Sequence, residues 1–254
     1  MKIKAKNKEL SAQIELLKAQ HPFWGYRRIW AYLKYRQGLN INKKRIYRLM
    51  KENNLLVVPN ARLKAIRAKY PQRSKPHATR PNQFWGIDMT KVLIQSFGWL
   101  YLVIVLDWFS KKIIGYSLKI RSKADDWLEA LNSAVNNQFP YGILREQEKP
   151  ALISDNGSQP TSQKFMQVCS TLKIKQIFTC YNNPKGNADT ERVIRTIKED
   201  LIWLKEWKSP FELEEELKVW INRYNNDYPH SSLGYKTPVQ FEKEQLLLTT
   251  KICA

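Results

Sequence analysis

The stretch Trp99-Leu100-Tyr101-Leu102-Val103-Ile104-Val105-Leu106 constrains the fold first. An unbroken apolar run of this length predicts a central strand buried on both faces. A half-solvated strand would alternate, and a membrane-spanning helix needs roughly 20 such residues. Strand signals flank the run at Gln83–Val92 and Ile113–Ile120, with a turn from Asp107 to Lys112, so an antiparallel meander of three strands is expected. Helical periodicity follows over Ala124–Gln138, where Trp127, Leu128, Leu131 and Val135 share a face. Short strands at Ala151–Ser154 and Lys173–Phe178 enclose a helix at Ser162–Leu172. Beyond the Asn-, Pro- and Gly-rich loop Tyr181–Asp189, one helix is expected over Thr190–Leu204 and another from Pro210 to about Asn225. The order β-β-β-α-β-α-β-α predicts an α/β layered domain over 83–245, ending in a turn-rich tail.

The N-terminal quarter follows another pattern. Residues 5–19 carry Leu10, Ile14, Leu16 and Leu17 in a helical run that His21-Pro22 breaks. Ile29, Trp30 and Leu33 mark a second helix over 26–36, and Gly38–Ile41 makes a tight connection. A third helix, capped near Asn42, turns Ile46, Leu49 and Met50 inward and offers Lys43, Lys44, Arg45, Arg48 and Lys51 on its other faces. Two helices joined by a short turn, the second one basic, fit a helix-turn-helix DNA-binding domain over 1–56. A small bundle with a solvated basic face fits the periodicity equally well. Residues 57–82 read as a basic linker punctuated by Pro59, Pro71, Pro76 and Pro81. From Pro59 to Arg80 it holds seven basic residues and no acidic one, a composition that tracks phosphates or serves as a soluble spacer.

A net charge of +20 makes a polyanion the expected partner. No apolar run reaches transmembrane length, and the first 20 residues lack the apolar segment of a signal peptide, so no membrane association and a cytoplasmic location are expected. Cys169, Cys180 and Cys253 form no CxxC pair, and His21, His77 and His230 lie far apart, so no zinc-ligand spacing exists.

Two carboxylates sit where carboxylates are costly. Asp88 lies inside the strand-like run Phe84-Trp85-Gly86-Ile87-Asp88-Met89-Thr90, and Asp155 ends the apolar run Leu152-Ile153-Ser154 before the turn signal Asn156-Gly157. Glu191 follows on a predicted helix, with 35 residues between it and Asp155. Three carboxylates drawn together would repel one another, and hard cations such as Mg²⁺ or Mn²⁺ are the natural compensation for an all-oxygen set. At 100° per residue, Arg195 and Lys198 fall within about 60° of Glu191 on the same helical face, where they can hold phosphate beyond a metal.

These motifs resemble the DDE signature of retroviral-integrase-like transposases: Asp88, then Asp155-Asn156-Gly157-Ser158, then Glu191. Longer phrases agree, among them Pro81–Asp88, Trp99–Phe109, Gly186-Asn187-Ala188-Asp189-Thr190-Glu191 and His230-Ser231-Ser232-Leu233-Gly234-Tyr235. The segment His21–Met50, with Tyr26-Arg27-Arg28-Ile29, is similar to the helix-turn-helix that precedes this core. The second-frame protein (OrfB) of the insertion-sequence-three family is the best match, over about 20–243. The resemblance implies a ribonuclease-H-like mixed five-stranded sheet flanked by helices, preceded by the small all-α domain. It also implies cleavage at the element's 3′ end and strand transfer on two Mg²⁺ ions, for which Mn²⁺ substitutes. Asp88, Asp155 and Glu191 would be the ligands, Asp155 bridging both ions, while Arg195 and Lys198 grip the transposon end. The implied partners are double-stranded DNA, a first-frame protein (OrfA) or fusion with it, and further copies of the chain on DNA, within the bacterial nucleoid. Unlike retroviral integrases, the chain has no His/Cys zinc module, and no sustained heptads are present.

Other readings stay open on sequence alone. Asp107, at a strand end, and Asp125 and Asp126, in a helix's first turn, compete as ligands. A DNA-binding regulator without catalysis and a nuclease acting on RNA–DNA hybrids are the alternative functions.

Overall fold

The structure, a computed structural model, describes residues 2–57, 76–179 and 186–252. The middle of the predicted linker, part of the loop before the Glu191 helix, Cys180 and Cys253 lie outside the described residues. The chain divides into two compact units, Met1–Tyr70 with Asp227–Thr237, and Pro71–Asn226 with Pro238–Ala254.

The first unit is helical. It contains α1 (Lys2–Gln20), α2 (Tyr26–Tyr35) and α3 (Lys43–Glu52). Ile14, Ile29, Leu33, Ile46 and Met50 are fully buried and form its core, as the spacing predicts, whereas Leu16 is exposed. Asn42 caps α3 through its side-chain oxygen, which accepts from the Lys44 N–H at 2.9 Å. Trp30 Nε1 donates to the Ile41 carbonyl at 2.8 Å and fixes the connection between α2 and α3. Asp227–Thr237, in the tail after Asn226, group with the helical unit. Their aromatics find partners on α2 and the turn before it. Tyr228 meets Trp24 edge-on, Tyr235 stacks on Tyr35, and the Arg28 guanidinium lies 4.8 Å from the Tyr228 ring centroid.

The second unit holds β1 (Phe84–Ile94), β2 (Gly98–Asp107), β3 (Ile113–Lys119), α4 (Ala124–Gln138), β4 (Ala151–Ser154), α5 (Gln163–Thr171), β5 (Lys175–Phe178), α6 (Ala188–Asp200), α7 (Pro210–Asp227, whose last residue joins the helical unit) and α8 (Pro238–Ile252). The strands form one mixed five-stranded sheet in the order β3-β2-β1-β4-β5. β1 pairs antiparallel with β2 and parallel with β4, and β4 pairs parallel with β5. This is the sheet expected of a ribonuclease-H-like core. The apolar run Trp99–Leu106 becomes β2, buried from Leu102 to Leu106 but exposed at Trp99.

The period of two in β1 divides its side chains between the sheet's faces. Trp85 and Ile87 join Val103, Val105, Leu152 and the inward residues of α4 and α5 in one buried cluster. Gly115 lets α4 approach this face, since a Cβ there would meet the Ala130 carbonyl at 2.4 Å. Gly86 and Asp88 point to the opposite face, toward α6. On that face α7 is clamped by Asn225, which exchanges two hydrogen bonds with the backbone of Ile113. The predicted helix 190–204 is shorter than expected. α6 stops at Asp200, where Leu201 takes φ −138° and ψ −64°, and the chain continues as a 3-10 turn that leaves Trp203 exposed. The tail also contains a helix, α8, that the turn-rich pattern before Pro238 did not reveal.

Candidate active site

The parallel pairing of β1 with β4 matches Gly86 to Ile153. Two residues further, Asp88 is level with Asp155, just past the end of β4. Paired residues of parallel strands project to the same face, so both carboxylates face the α6 side. Asp88 Oδ1 accepts the Met89 N–H at 2.7 Å. Asp155 is set by an Asx turn, in which its Oδ1 accepts from the Gly157 N–H at 3.0 Å. Asn156 Nδ2 donates to the Thr179 carbonyl at 2.6 Å and ties this turn to the end of β5.

Glu191 lies exposed in the first turn of α6. Three contacts on the buried side of that turn fix where it sits. Trp108 Nε1 donates to Thr190 Oγ1 at 3.2 Å. Asn187 Nδ2 donates to the Ile87 carbonyl, next to Asp88, at 3.2 Å. Gly86 provides the room, since a Cβ there would lie 2.0 Å from Thr190 Oγ1 and 2.3 Å from Trp108 Nε1. The glycine two residues before Asp88 is therefore what lets the helix bearing Glu191 approach the strand bearing Asp88.

The electrostatics follow from this placement. Burial, supplemented by the charges of Asp155 and Glu191, pushes the Asp88 carboxyl up to about 7, against opposing effects of the Met89 N–H and the Lys198 ammonium. Asp155, Glu191 and Lys198 thus each lie close enough to act on the charge of Asp88. Among the described residues, no three His, Cys, Asp or Glu side chains converge into a finished metal cluster. The donor set nonetheless fits a hard divalent cation: all oxygen, mutually repelling, with one member costly to ionise.

The competing carboxylates are engaged elsewhere. Asp107 is fully buried, and its Oδ2 accepts from Ser110 N–H at 2.8 Å and Ser110 Oγ at 2.6 Å while Oδ1 accepts from Asn82 N–H at 3.0 Å. Burial raises its carboxyl above the ordinary range despite these bonds. Asp125 pairs with Lys164, and Asp126 caps α4 by accepting the Lys123 N–H at 2.7 Å. Cys169 is inert in the α4 face cluster, its thiol pushed up to about 12 by burial.

Of the cations predicted to touch DNA, Arg195 is exposed and pairs with Glu199 at 2.7 Å one turn along. In the helical unit, Lys44 and Arg48 are exposed on α3. Arg45 is tied to Asn7 Oδ1 at 3.0 and 2.7 Å, and Lys43 Nζ lies 4.6 Å from the Trp30 ring centroid. Tyr47, which sequence reasoning missed, is exposed between Lys44 and Arg48 at helical spacing. Its apolar ring gave no signal, because one aromatic on an amphipathic helix reads as core.

Comparison with known proteins adds to this geometry. The family models described as Integrase core domain match residues 78–184 and 172–238, and the one described as HTH-like domain matches 4–62. The transposase for insertion sequence element IS904 of Lactococcus lactis is 30% identical over 217 residues, covering 81% of this chain and 82% of that protein. Transposase InsD for insertion element IS2A/D/F/H/I/K of Escherichia coli is 26% identical over 238 residues, covering 88% and 75%. Among solved structures, the simian T-cell lymphotropic virus intasome in complex with PP2A regulatory subunit B56 gamma contains a chain that aligns with a TM-score of 0.53 at 18% identity, over 84% of this chain and 73% of that one.

Proposed function

The chain belongs to the insertion-sequence transposases built on an integrase core, second-frame proteins of the insertion-sequence-three kind, and on that premise we propose that Asp88, Asp155 and Glu191 are its catalytic metal ligands. The observation that carries this reading is a single one. A carboxylate on a buried strand sits level with a second carboxylate and feels a third, at an electrostatic cost that a cation would relieve.

Two Mg²⁺ ions held there, with Mn²⁺ as a substitute, would stabilise the attacking and leaving oxygens of an in-line displacement at phosphorus. The protein's own groups orient the strand being cut. Lys198 offsets the charge at Asp88 and can take a phosphate oxygen. Arg195 can leave Glu199 for a phosphate at small cost, because its side of the pair is open to solvent and an i,i+4 pair is worth only a few tenths of a kcal/mol. No covalent intermediate on the protein is required. The reaction we assign is attack of water on the phosphodiester at the element's 3′ end, releasing its 3′-OH, followed by attack of that 3′-OH on a phosphodiester of a second strand, whose own 3′-oxygen leaves.

Lys44, Tyr47 and Arg48 form the DNA-facing set on α3, with Lys43 and Arg45 in supporting positions. The remaining partners in this reading are the element's ends and target duplex, further copies of the chain on that DNA, and a first-frame protein, supplied separately or by fusion. No helix among the described residues is long and apolar enough to cross a membrane. A chromosomal DNA substrate places the work in the cytoplasm, at the nucleoid.

The test uses a labelled, pre-cut duplex carrying the element's end, the purified full chain, and the first-frame protein with and without. Joined product in Mg²⁺ or Mn²⁺ and none in EDTA is the expected result. A mobility shift without any cut or joined product, with both proteins present, would point to a regulator. Cutting of an RNA–DNA hybrid without joining would point to a nuclease.

A further inference from the structure

The turn between β2 and β3, whose Trp108 N–H donates to the Phe84 carbonyl of β1 at 3.0 Å, reaches the helix that carries Glu191. Lys111 Nζ pairs with Asp189 Oδ2 at 2.8 Å, both side chains about one-fifth exposed, and also donates to the Trp108 carbonyl at 2.6 Å. Trp108 in turn reaches Thr190. Residues 189 and 190, the two immediately before Glu191, are therefore each held by one residue of the same turn. The turn is itself fixed. Asp107 braces it through Ser110 and Asn82, Lys111 adopts a left-handed φ of 61°, and Tyr224 Oη donates to the Lys111 carbonyl at 3.1 Å. A non-glycine residue in the left-handed region costs of order 1 kcal/mol and persists where its surroundings hold it there.

We propose that Lys111, acting with Trp108 through Asp189 and Thr190, is a positioning residue that sets Glu191 for metal binding opposite Asp88. The inference rests on the metal-ligand role of Glu191 argued above. It has a clean opposite. Lys111 is a cation paired with Asp189, two residues before Glu191, so if it acted through charge alone, its removal would leave that end of α6 more negative and tighten the hold on a divalent cation. If it acts by position, removal loosens that hold.

The experiment titrates Mn²⁺ by calorimetry into the metal-free full chain, alongside the Mg²⁺ dependence of strand joining. Lys111→Met keeps the aliphatic stem, and Lys111→Arg keeps the charge and donors. Thr190→Val removes the hydroxyl that accepts from Trp108. Loss of an outer partner of a ligand costs about tenfold or more in metal affinity. The expected result is Mn²⁺ binding and Mg²⁺ half-saturation weakened about tenfold in Lys111→Met and Thr190→Val, and within about twofold of the unaltered chain in Lys111→Arg. DNA binding in EDTA is expected to be unchanged. Unaltered or tighter Mn²⁺ binding in Lys111→Met would overturn the positioning role while leaving the catalytic reading intact. If Lys111→Met melts far below the unaltered chain, Thr190→Val decides by the same criterion. Failure of the unaltered chain itself to bind Mn²⁺ and join DNA would overturn both.

Discussion

The two units use charge in opposite ways. The catalytic unit places a carboxylate on a strand at the centre of its sheet, next to a second carboxylate, and surrounds it with contacts that fix the helix carrying a third. The helical unit leaves Lys44, Arg48 and Lys51 in water along one face of α3, around a largely apolar core. Charge in the first unit is costly and rigidly placed, which suits a cation-dependent reaction in which small displacements matter. Charge in the second is cheap and adaptable, which suits phosphate contact whose strength depends on number and salt. The two sets of residues should therefore fail differently when altered.

The largest effect is expected in the first unit. Asp88→Asn, Asp155→Asn or Glu191→Gln should each lower strand joining by more than about a hundredfold, since misplacement of reacting groups by even 1 Å costs that much. Binding of DNA in EDTA should persist. Near-normal joining by any one variant would remove that residue from the site.

The next effect is on stability. An Asp whose folded value is raised from the usual 3.8 to about 7 loses its proton first in the unfolded chain. Metal-free stability should therefore fall as pH climbs from about 4 to about 7, by up to about 4 kcal/mol from this group, and level off above that. Asp88→Asn should flatten this fall and melt higher than the unaltered chain at pH 8, while Mg²⁺ should raise the melting temperature of the unaltered chain alone. Parallel melting curves at pH 5.5 and 8 for the two proteins would contradict the burial argument.

Gly86→Ala comes third. The added Cβ has no room against Thr190 and Trp108, so overpacking should cost about 1–3 kcal/mol in denaturant melts and reduce joining as well. The smallest effects belong to α3. Arg48→Ala or Lys44→Ala should weaken DNA binding about tenfold or less and lower the salt slope by about one per lost phosphate contact, without changing metal affinity. A change in metal affinity on altering α3 would break the separation between the units.

Most of the fold was legible because its signals are periodic. The alternation and runs that make β1 to β5, and the stripe Trp127, Leu128, Leu131 and Val135, depend only on which face is buried. What escaped depends on contacts distant in sequence. Nothing local says that Gly86 must be bare. That requirement comes from Thr190 and Trp108, far along the chain. The tail read as loop because Pro229, Gly234 and Pro238 punctuate it, while its aromatics find their partners on a helix some 200 residues earlier. The three carboxylates could be picked out by residue type and context. Trp108, Lys111 and Asn187 could not, since a tryptophan, lysine or asparagine near a turn has many ordinary uses.

The central claim is that Asp88, Asp155 and Glu191 jointly hold the catalytic cations. Counting bound Mn²⁺ on the full chain with an element-end duplex, by electron paramagnetic resonance of free Mn²⁺, tests it most directly. Two ions per active site in the unaltered protein, and loss of tight binding in Asp155→Asn with DNA binding retained, is the predicted result. Undiminished tight Mn²⁺ binding by Asp155→Asn would contradict the account.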